Sequence, residues 1–343
     1  MKLSRYGIHR VIGETGVLPQ AAHKIDSSPI CYENEMLIEV DTLNIDSASF
    51  HQIKEACNSD VSMMKNMILN IVKTQGKMQN PVTKSGGMLI GSIKEIGKKF
   101  SNQSLSIGTK IATLVSLSLT PLHIEEIISI NISNEQVKVK GQAILFDSGI
   151  YSVIPSDLSE NLVLAALDVA GAPAQVKKLA KLGQTVFIIG AAGKSGVLCA
   201  YQAKKNVGPN GKVIGLVNEE SQRDLLSSLD LCDEIIFENA LNSLAVYEKV
   251  SSLTNGELAD LTINVVNVQN TEMTAILSTK DHGIVYFFSM ATSFTKAALG
   301  AEGVGKDLDM MIGNGYTKGH AEITLDILRE NKKLYDLFMK RYA

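Results

Sequence analysis

The sequence contains few cysteines, and none of them lie close together. Its four cysteines are Cys31, Cys57, Cys199 and Cys232. The chain has no Cys-x-x-Cys motif and no cluster of cysteine and histidine, which argues against both a disulfide framework and a cysteine-based metal site. We predict four free thiols.

The sequence also lacks a long apolar run and an excess of either charge. No stretch approaches the roughly 18 apolar residues that span a membrane. The first residues, MKLSRYGIHRVIGETG, contain no apolar core of a signal peptide. The net charge of -3 gives no sign of nucleic-acid binding. We therefore expect a cytoplasmic protein with no membrane or nucleic-acid partner.

A glycine-rich turn follows a short apolar segment, residues 186–189, and a helical pattern begins at Ser195. A strand, a glycine turn and a helix in this order form an anion site. Glycine lets the backbone approach a pyrophosphate, and the first N–H groups of the helix point at its charge. The spacing is Gly-x-x-Gly-x-x-Gly, with Ala192 where a second glycine is usual, so a turn that serves packing alone is the alternative. The predicted dinucleotide contacts are Gly190, Gly193, Lys194, Ser195 and Gly196.

A second predicted strand, residues 212–217, ends in polar residues that would lie at the ribose of a bound dinucleotide. Two carboxylates, Glu219 and Glu220, would repel the 2′-phosphate of NADP. Arg223 is placed either to pair with that phosphate or to pair with one of the two carboxylates. Asn218, Glu219 and Arg223 are the predicted cofactor-selecting residues, and we predict NAD in preference to NADP.

The order of predicted elements divides the 343 residues into two domains. Residues 1–155 carry strands separated by Gly, Asn and Ser, which predicts a barrel-like β-rich domain. Residues 156–315 alternate strands with helices, which predicts a doubly wound parallel sheet of the Rossmann type and an α/β fold class. The strands are 185–189, 213–217, 234–237, 261–266 and 284–288. The helical tail, residues 316–343, is expected to return to the β-rich domain.

This domain order resembles the medium-chain dehydrogenase/reductase superfamily. The segments that carry the resemblance are GGMLIGSIKEIG (86–97), IGTKIATLV (107–115), GAAGKSG (190–196) and DLTINVVN (260–267). It implies that the β-rich domain is GroES-like and that two chains pair through the sheet edge of the dinucleotide domain as a homodimer. It also implies cofactor contacts from Val266, Ser289 and Met290.

The resemblance further implies that no zinc is bound. Superfamily members with catalytic zinc carry Gly-His-Glu where this chain has Gly86, Gly87 and Met88. Their first cysteine ligand has no counterpart near residues 44–46, and the four-cysteine lobe is missing. Zinc needs three or four Cys, His or carboxylate ligands. We predict no metal.

Three longer segments narrow the resemblance: residues 6–26, 80–91 and 313–331. They are similar to superfamily members that oxidatively deaminate a small diamino acid in anaerobic lysine fermentation. The resemblance therefore implies a diamino acid as substrate and NAD as hydride acceptor. Without it, the residues lead only to a zinc-free nicotinamide oxidoreductase.

Oxidation of a carbon that bears nitrogen requires a neutral amine, so a carboxylate or an imidazole must first remove a proton from the ammonium. Asp168 follows LVLAAL in an apolar helix, where its charge needs a partner, either a substrate ammonium or Lys177. Asp46 and His51 follow the first long strand, and each is alternatively a helix cap or a surface residue. The predicted catalytic residues are Asp168, Asp46 and His51, and which of them is the base stays open.

Residues that would hold the rest of the substrate lie before the double glycine and near the chain's end. Lys84 and Ser85 are predicted to bind the substrate carboxylate, with a solvated loop charge as the alternative for Lys84. Tyr316 is predicted to reach the substrate from a polar cluster that includes Lys318 and His320.

Two other functions compete with amine oxidation. The GAAGKSG turn is compatible with a zinc-free quinone or enoyl reductase. Such a reductase would prefer NADPH, and apolar side chains would line its substrate site. A non-catalytic nicotinamide-nucleotide sensor would bind the cofactor without turnover, and neutralising Asp168 would leave it unaffected.

Overall fold

A computed structural model describes residues 3–313 and 315–342 of the chain. The residues outside this description are Met1, Lys2, Asn314 and Ala343. Asn314 belongs to the segment 313–331 named above. The chain forms two compact units, a first that ends at Asp168 and a second that spans Val169–Arg341. None of the helices formed by the described residues is long and apolar enough to cross a membrane.

The first unit is built on a six-stranded sheet in which every pair of neighbouring strands is antiparallel. The strand order is β4-β5-β1-β2-β3-β6. Apolar residues of β1, β2 and β5 form its core together with those of α1 and α2. The elements are β1 (Glu35–Asn44), α1 (Ser47–Ala56), α2 (Val61–Gln75), β2 (Met88–Ile96), β3 (Lys110–Thr113), β4 (Leu122–Asn131), β5 (Gln136–Phe146), β6 (Tyr151–Val153) and α3 (Glu160–Leu167).

Two aspartates start the first two helices of this unit. Asp46 Oδ1 accepts a hydrogen bond from the Ser49 N–H at 3.0 Å, and Asp60 Oδ1 accepts one from the Met63 N–H at 2.8 Å. Each carboxylate thereby satisfies an N–H group that the helix itself leaves unpaired. The helix cap that the sequence offers as one alternative for Asp46 is present at the start of α1.

A buried arginine ties the N-terminal segment to β1. Arg10 is 1% exposed, and its guanidinium donates to both oxygens of Glu35, from Nε at 2.7 Å and from Nη2 at 2.6 Å. Burial alone would raise the pKa of Glu35, but hydrogen bonds from Arg10 and His9 outweigh it and hold that pKa below its usual value. Arg10 also donates to the main-chain oxygens of Asp26, Ser28 and Ile30.

A buried lysine anchors the same segment a second time. Lys77 is fully buried, and its Nζ donates to the main-chain oxygens of Pro19 at 2.7 Å and Gln20 at 3.0 Å. Burial disfavours the charged amine and lowers the pKa of Lys77 to about 8. Residues 10–30 are therefore fastened to the β-rich unit through two buried cations.

The second unit contains a six-stranded parallel sheet in the order β12-β11-β10-β7-β8-β9. All five predicted strands are present, and this sheet confirms the predicted α/β fold class. Its elements are α4 (Gly171–Leu179), β7 (Thr185–Ile189), α5 (Lys194–Val207), β8 (Lys212–Val217), α6 (Glu220–Leu229), β9 (Glu234–Phe237), α7 (Ser243–Leu253), β10 (Ala259–Asn264), α8 (Glu272–Ser278), β11 (Thr279–Phe287), α9 (Phe294–Gly303), β12 (Asp309–Ile312), α10 (His320–Glu330) and α11 (Lys332–Tyr342).

The C-terminal tail departs from the prediction that residues 316–343 return to the β-rich domain. Thr324 Oγ1 in α10 donates to the main-chain oxygen of Ala170 at 3.3 Å, and Glu330 accepts from Tyr201 and Lys205 on α5. The tail therefore packs on the second unit. The amphipathic pattern of α10 indicates that one face is buried, but not which neighbour covers it.

The boundary between the two units also lies later than the predicted one at residue 155. Helix α3 belongs to the first unit, where Lys110 Nζ on β3 donates to Glu160 Oε1 at 2.5 Å and also pairs with Asp41 of β1 at 3.1 Å. The sequence pattern changes from strands to helices before α3, whereas the first unit ends after α3, at Asp168. The change of pattern therefore does not mark the boundary between the units.

Candidate functional site

The glycine turn after β7 brings its backbone close to the start of α5. Gly190 has a φ of 84°, a conformation that favours glycine. A Cβ built on Gly196 would lie 2.2 Å from the main-chain oxygen of Gly190. Only glycine fits at position 196, because any side chain would push α5 away from the turn.

The start of α5 is left open for an anion. Its N-cap is Gly193, and no side chain in the described part of the chain caps the helix. Lys194 and Ser195, the first two helical residues, are half-buried, and Gly193 itself is exposed. The first N–H groups of a 14-residue helix and its dipole favour a phosphate at this end. The turn therefore fits the dinucleotide that the sequence predicts.

The end of β8 presents a carboxylate where the ribose of such a dinucleotide would lie. Glu219 is the exposed N-cap residue of α6, and the Asn218 N–H donates to Gln222 at 3.4 Å. Arg223 pairs with Glu220, and its guanidinium carbon lies 5.9 Å from the ring centroid of Phe237. Of the two carboxylate partners proposed for Arg223, the structure selects Glu220.

The remaining predicted cofactor residues follow β10 and β11. A Cβ on Gly190 would lie 2.9 Å from the Cβ of Val266, so the loop after β10 abuts the glycine turn. The Ser289 N–H donates to the main-chain oxygen of Asn264 at 3.4 Å. Met290 is 91% exposed. Val266 and Ser289 thus lie at the carboxyl ends of neighbouring parallel strands, where ligands of doubly wound sheets bind.

In the first unit, Asp46 and Ser85 belong to one cluster of polar side chains. Ser85 Oγ donates to Asp46 Oδ1 at 2.9 Å. Two further hydroxyls join it: Ser49 Oγ lies 2.9 Å from Ser85 Oγ and 2.6 Å from Thr83 Oγ1. The sequence predicted Asp46 and Ser85 as site residues but missed Ser49 and Thr83, because their meeting across 34 positions has no local signal.

One carboxylate oxygen of Asp46 has no hydrogen-bond partner among the described residues. Oδ1 accepts from the Ser49 N–H and from Ser85, whereas Oδ2 is buried and has no hydrogen-bond partner within residues 3–313 and 315–342. A buried carboxylate oxygen without a donor is costly, and a positively charged or N–H-bearing ligand would remove that cost.

The cluster lies beside the segment 86–88, which the resemblance to the superfamily singled out. A Cβ on Gly87 would lie 2.0 Å from the main-chain oxygen of Asn44 and 2.8 Å from the Asp46 nitrogen, so residues 44–46 and 86–88 are neighbours. Within the described ranges, no group of three His, Cys, Asp or Glu residues is arranged to hold a metal ion.

Four other predicted site residues lie outside this cluster. His51 is 68% exposed at its side chain and pairs with Glu55 at 3.5 Å. Lys84 is exposed and has a φ of 61°. Asp168 is half-buried at the C-cap of α3.

The fourth, Tyr316, belongs to the second unit instead of the β-rich domain. Its ring packs edge-on against His320 at a centroid distance of 5.2 Å. Burial lowers the pKa of His320. Gly319 is the N-cap residue of α10.

Two known proteins match this chain over its length. The L-erythro-3,5-diaminohexanoate dehydrogenase of Acetoanaerobium sticklandii is 57% identical over 343 residues, which are 100% of both chains. The protein of the same name from Fusobacterium nucleatum subsp. nucleatum is 56% identical over 339 residues, 98% of each chain. This chain belongs to the L-erythro-3,5-diaminohexanoate dehydrogenase family.

Membership of this family confirms the resemblance that the segments 6–26, 80–91 and 313–331 carry, and it makes the chain an oxidoreductase of the dehydrogenase type. The family's N-terminal domain model matches residues 9–155, the part that contains Asp46 and Ser85. Among solved structures, the CurK enoyl reductase has a TM-score of 0.56 at 15% identity, covering 96% of this chain and 85% of that one. This likeness shows the fold alone, a Rossmann-type sheet with a GroES-like domain.

Proposed function

We propose that this enzyme oxidises L-erythro-3,5-diaminohexanoate to (S)-5-amino-3-oxohexanoate and ammonia, with NAD as the oxidant, in anaerobic lysine fermentation. The names of the two full-length relatives support the substrate. The structural observation that carries the proposal is the buried Oδ2 of Asp46, which lacks a partner among the described residues and suits an amino group.

Asp46 is the proposed base. Its Oδ2 would accept the proton that the 3-ammonium group must lose, while Ser85 and the Ser49 N–H hold Oδ1 in place. NAD, when bound, accepts the hydride that leaves C3. Loss of the hydride from the neutral amine leaves an iminium ion, to which water would add with release of one proton to solvent. Protonated Asp46 would then return its proton to the nitrogen, and ammonia would depart as the hydroxyl group loses its proton and becomes the ketone. Asp168 and His51 remain predicted catalytic residues, and Lys84, Ser85 and Tyr316 remain predicted substrate contacts.

NAD is the proposed cofactor because Glu219 stands at the end of β8 and Arg223 is paired with Glu220. We expect kcat/KM to be at least roughly tenfold higher with NAD than with NADP, since the 2′-phosphate would approach a carboxylate. The measurement is the absorbance of the reduced nicotinamide formed from the diamino acid with each cofactor. Glu219→Ser should lower the ratio of kcat/KM with NAD to kcat/KM with NADP. Glu248→Ser, which changes an exposed carboxylate on α7, should leave that ratio unchanged.

Other outcomes of this assay decide against the proposal. Reduction of a quinone or an enone by NADPH without any amine oxidation would identify the chain as a reductase. Tight binding of NAD with no turnover of the diamino acid would favour a nucleotide sensor.

We also propose that two copies pair through β12. This strand is the edge of the parallel sheet, and its residues Met310 and Ile312 are 37% and 65% exposed. Phe294 and Leu299 on α9, the helix that precedes β12, are exposed as well. An open edge with apolar side chains is a ready surface for pairing with a second copy.

Light scattering on the purified chain should therefore give the mass of two chains, and Ile312→Lys should give the mass of one. Leu182→Lys is the matched control, because Leu182 is an exposed leucine of the same unit that lies outside β12 and α9. A monomeric wild type, or a dimer that Ile312→Lys leaves intact, would contradict pairing at this edge.

A further inference from the structure

Three chain segments leave neighbouring parallel strands at the same edge of the second sheet. They are the glycine turn after β7, the loop 265–271 after β10 and the loop 288–293 after β11. The chain order along the sheet reverses between β10 and β7, which is where doubly wound sheets bind their ligands. Small shifts between these three segments would change the shape of a cofactor site there.

Asn264, the last residue of β10, holds the loop after β11 by its main chain. It is fully buried. Its main-chain oxygen accepts from the Phe288 N–H at 3.0 Å and from the Ser289 N–H at 3.4 Å. The start of the loop that carries Ser289 and Met290 is thus attached to the end of β10.

The side chain of Asn264 holds the other loop. Its Nδ2 donates to Thr271 Oγ1 at 2.8 Å, and Thr271 Oγ1 donates to the main-chain oxygen of Val268 at 3.3 Å. Thr271 is 2% exposed. The two hydrogen bonds close loop 265–271 across its base, and Val266 in this loop abuts Gly190 of the glycine turn.

Stability alone does not account for an asparagine here. Its Oδ1 is buried and accepts no hydrogen bond from the part of the chain that the structure describes. An unpaired buried acceptor destabilises the fold, and an apolar side chain of similar shape would avoid that cost. A residue that carries such a cost is expected where its geometry serves function.

We propose that Asn264 and Thr271 are positioning residues, which set the loops after β10 and β11 at the spacing that the nicotinamide cofactor requires. The inference rests on the proposed function, because it assumes that the cofactor binds at this edge. Neither residue was predicted from the sequence as a site residue.

The test compares Thr271→Val, Thr271→Ser and Thr262→Val by calorimetric titration with NADH, a method that suits a chain without tryptophan. Thr271→Val should weaken NADH binding roughly tenfold, and Thr271→Ser, which keeps the hydroxyl, should restore it. The KM for NAD should rise in parallel, with the KM for the diamino acid unchanged. Thr262→Val is the matched control: it removes a buried hydroxyl from β10, where Thr262 pairs with Thr279 at 2.7 Å, away from both loops.

A second variant, Asn264→Leu, keeps the test decisive should Thr271→Val fail to fold. It should weaken NADH binding without lowering the midpoint of thermal unfolding, because the unpaired Oδ1 is lost together with the positioning bond. Unchanged NADH binding in Thr271→Val, or equal losses in Thr271→Val and Thr262→Val, would overturn the positioning role alone. A wild type that binds neither NADH nor NADPH would overturn the proposed function and this inference with it.

Discussion

Replacing Asp46 by Asn should lower kcat for the diamino acid by about 10²- to 10⁴-fold, the range expected when a general base is lost. Asparagine keeps the shape of aspartate and an oxygen that can accept from the Ser49 N–H, so the cap of α1 survives. It cannot take a proton from the substrate ammonium. The measurement is steady-state oxidation of the diamino acid, with the midpoint of thermal unfolding recorded for each variant.

Asp60→Asn is the control for this substitution. Asp60 caps α2 as Asp46 caps α1, with its Oδ1 2.8 Å from the Met63 nitrogen, but it lies outside the hydroxyl cluster. Asp60→Asn should leave kcat for the diamino acid unchanged. Asp168→Asn, made in parallel, separates the two candidate carboxylates: full activity in Asp46→Asn with loss in Asp168→Asn would transfer the role of base to Asp168.

Arg10→Met should lower the free energy of unfolding by about 3–5 kcal/mol, because it leaves the buried carboxylate of Glu35 without its cation. The pKa of Glu35 is below its usual value in the folded protein. The contribution of this carboxylate is therefore fully present above about pH 4.3 and is lost as the pH falls through the lower folded pKa. The gap between wild type and variant should shrink at acid pH. Urea unfolding followed by circular dichroism measures both effects.

The exposed pair of Lys99 and Glu33, whose charged atoms lie 2.6 Å apart, provides the comparison. Lys99→Met should leave the unfolding curve almost unchanged, because solvent screens a surface ion pair. Adding Glu35→Leu to Arg10→Met should recover part of the lost stability, since no charge then remains buried without a partner. An Arg10→Met protein as stable as Lys99→Met would show that the buried pair contributes little.

The parts of the fold that rest on local chemistry were predictable from the sequence. Asp46 and Asp60 start helices because a carboxylate satisfies the N–H groups within the next three positions. The buried strands of the second unit are short apolar runs, and the glycine turn follows the first of them. β12 was not predicted: its four residues, DMMI, form an exposed edge, so neither alternation nor a bounded apolar run marks them.

The parts that rest on contacts distant in sequence were not predictable. The side chain of Thr83 contacts Ser49, and that of Asn264 donates to Thr271. The periodicity of the sequence does not indicate either partner. Likewise, the amphipathic pattern of α10 shows that one face is buried but leaves its partner open. Of the predicted site residues, Asp46 and Ser85 share one cluster, whereas His51 lies on the outer face of α1.

The two buried cations that fasten residues 10–30 have a consequence for the order in which the chain folds. Residues 10–30 leave the ribosome before either of their anchors exists, because Glu35 begins β1 and Lys77 follows α2. Burying the guanidinium of Arg10 is costly unless the carboxylate of Glu35, at the start of β1, faces it. Residues 10–30 can therefore take their native place only once Glu35 and Lys77 are in theirs.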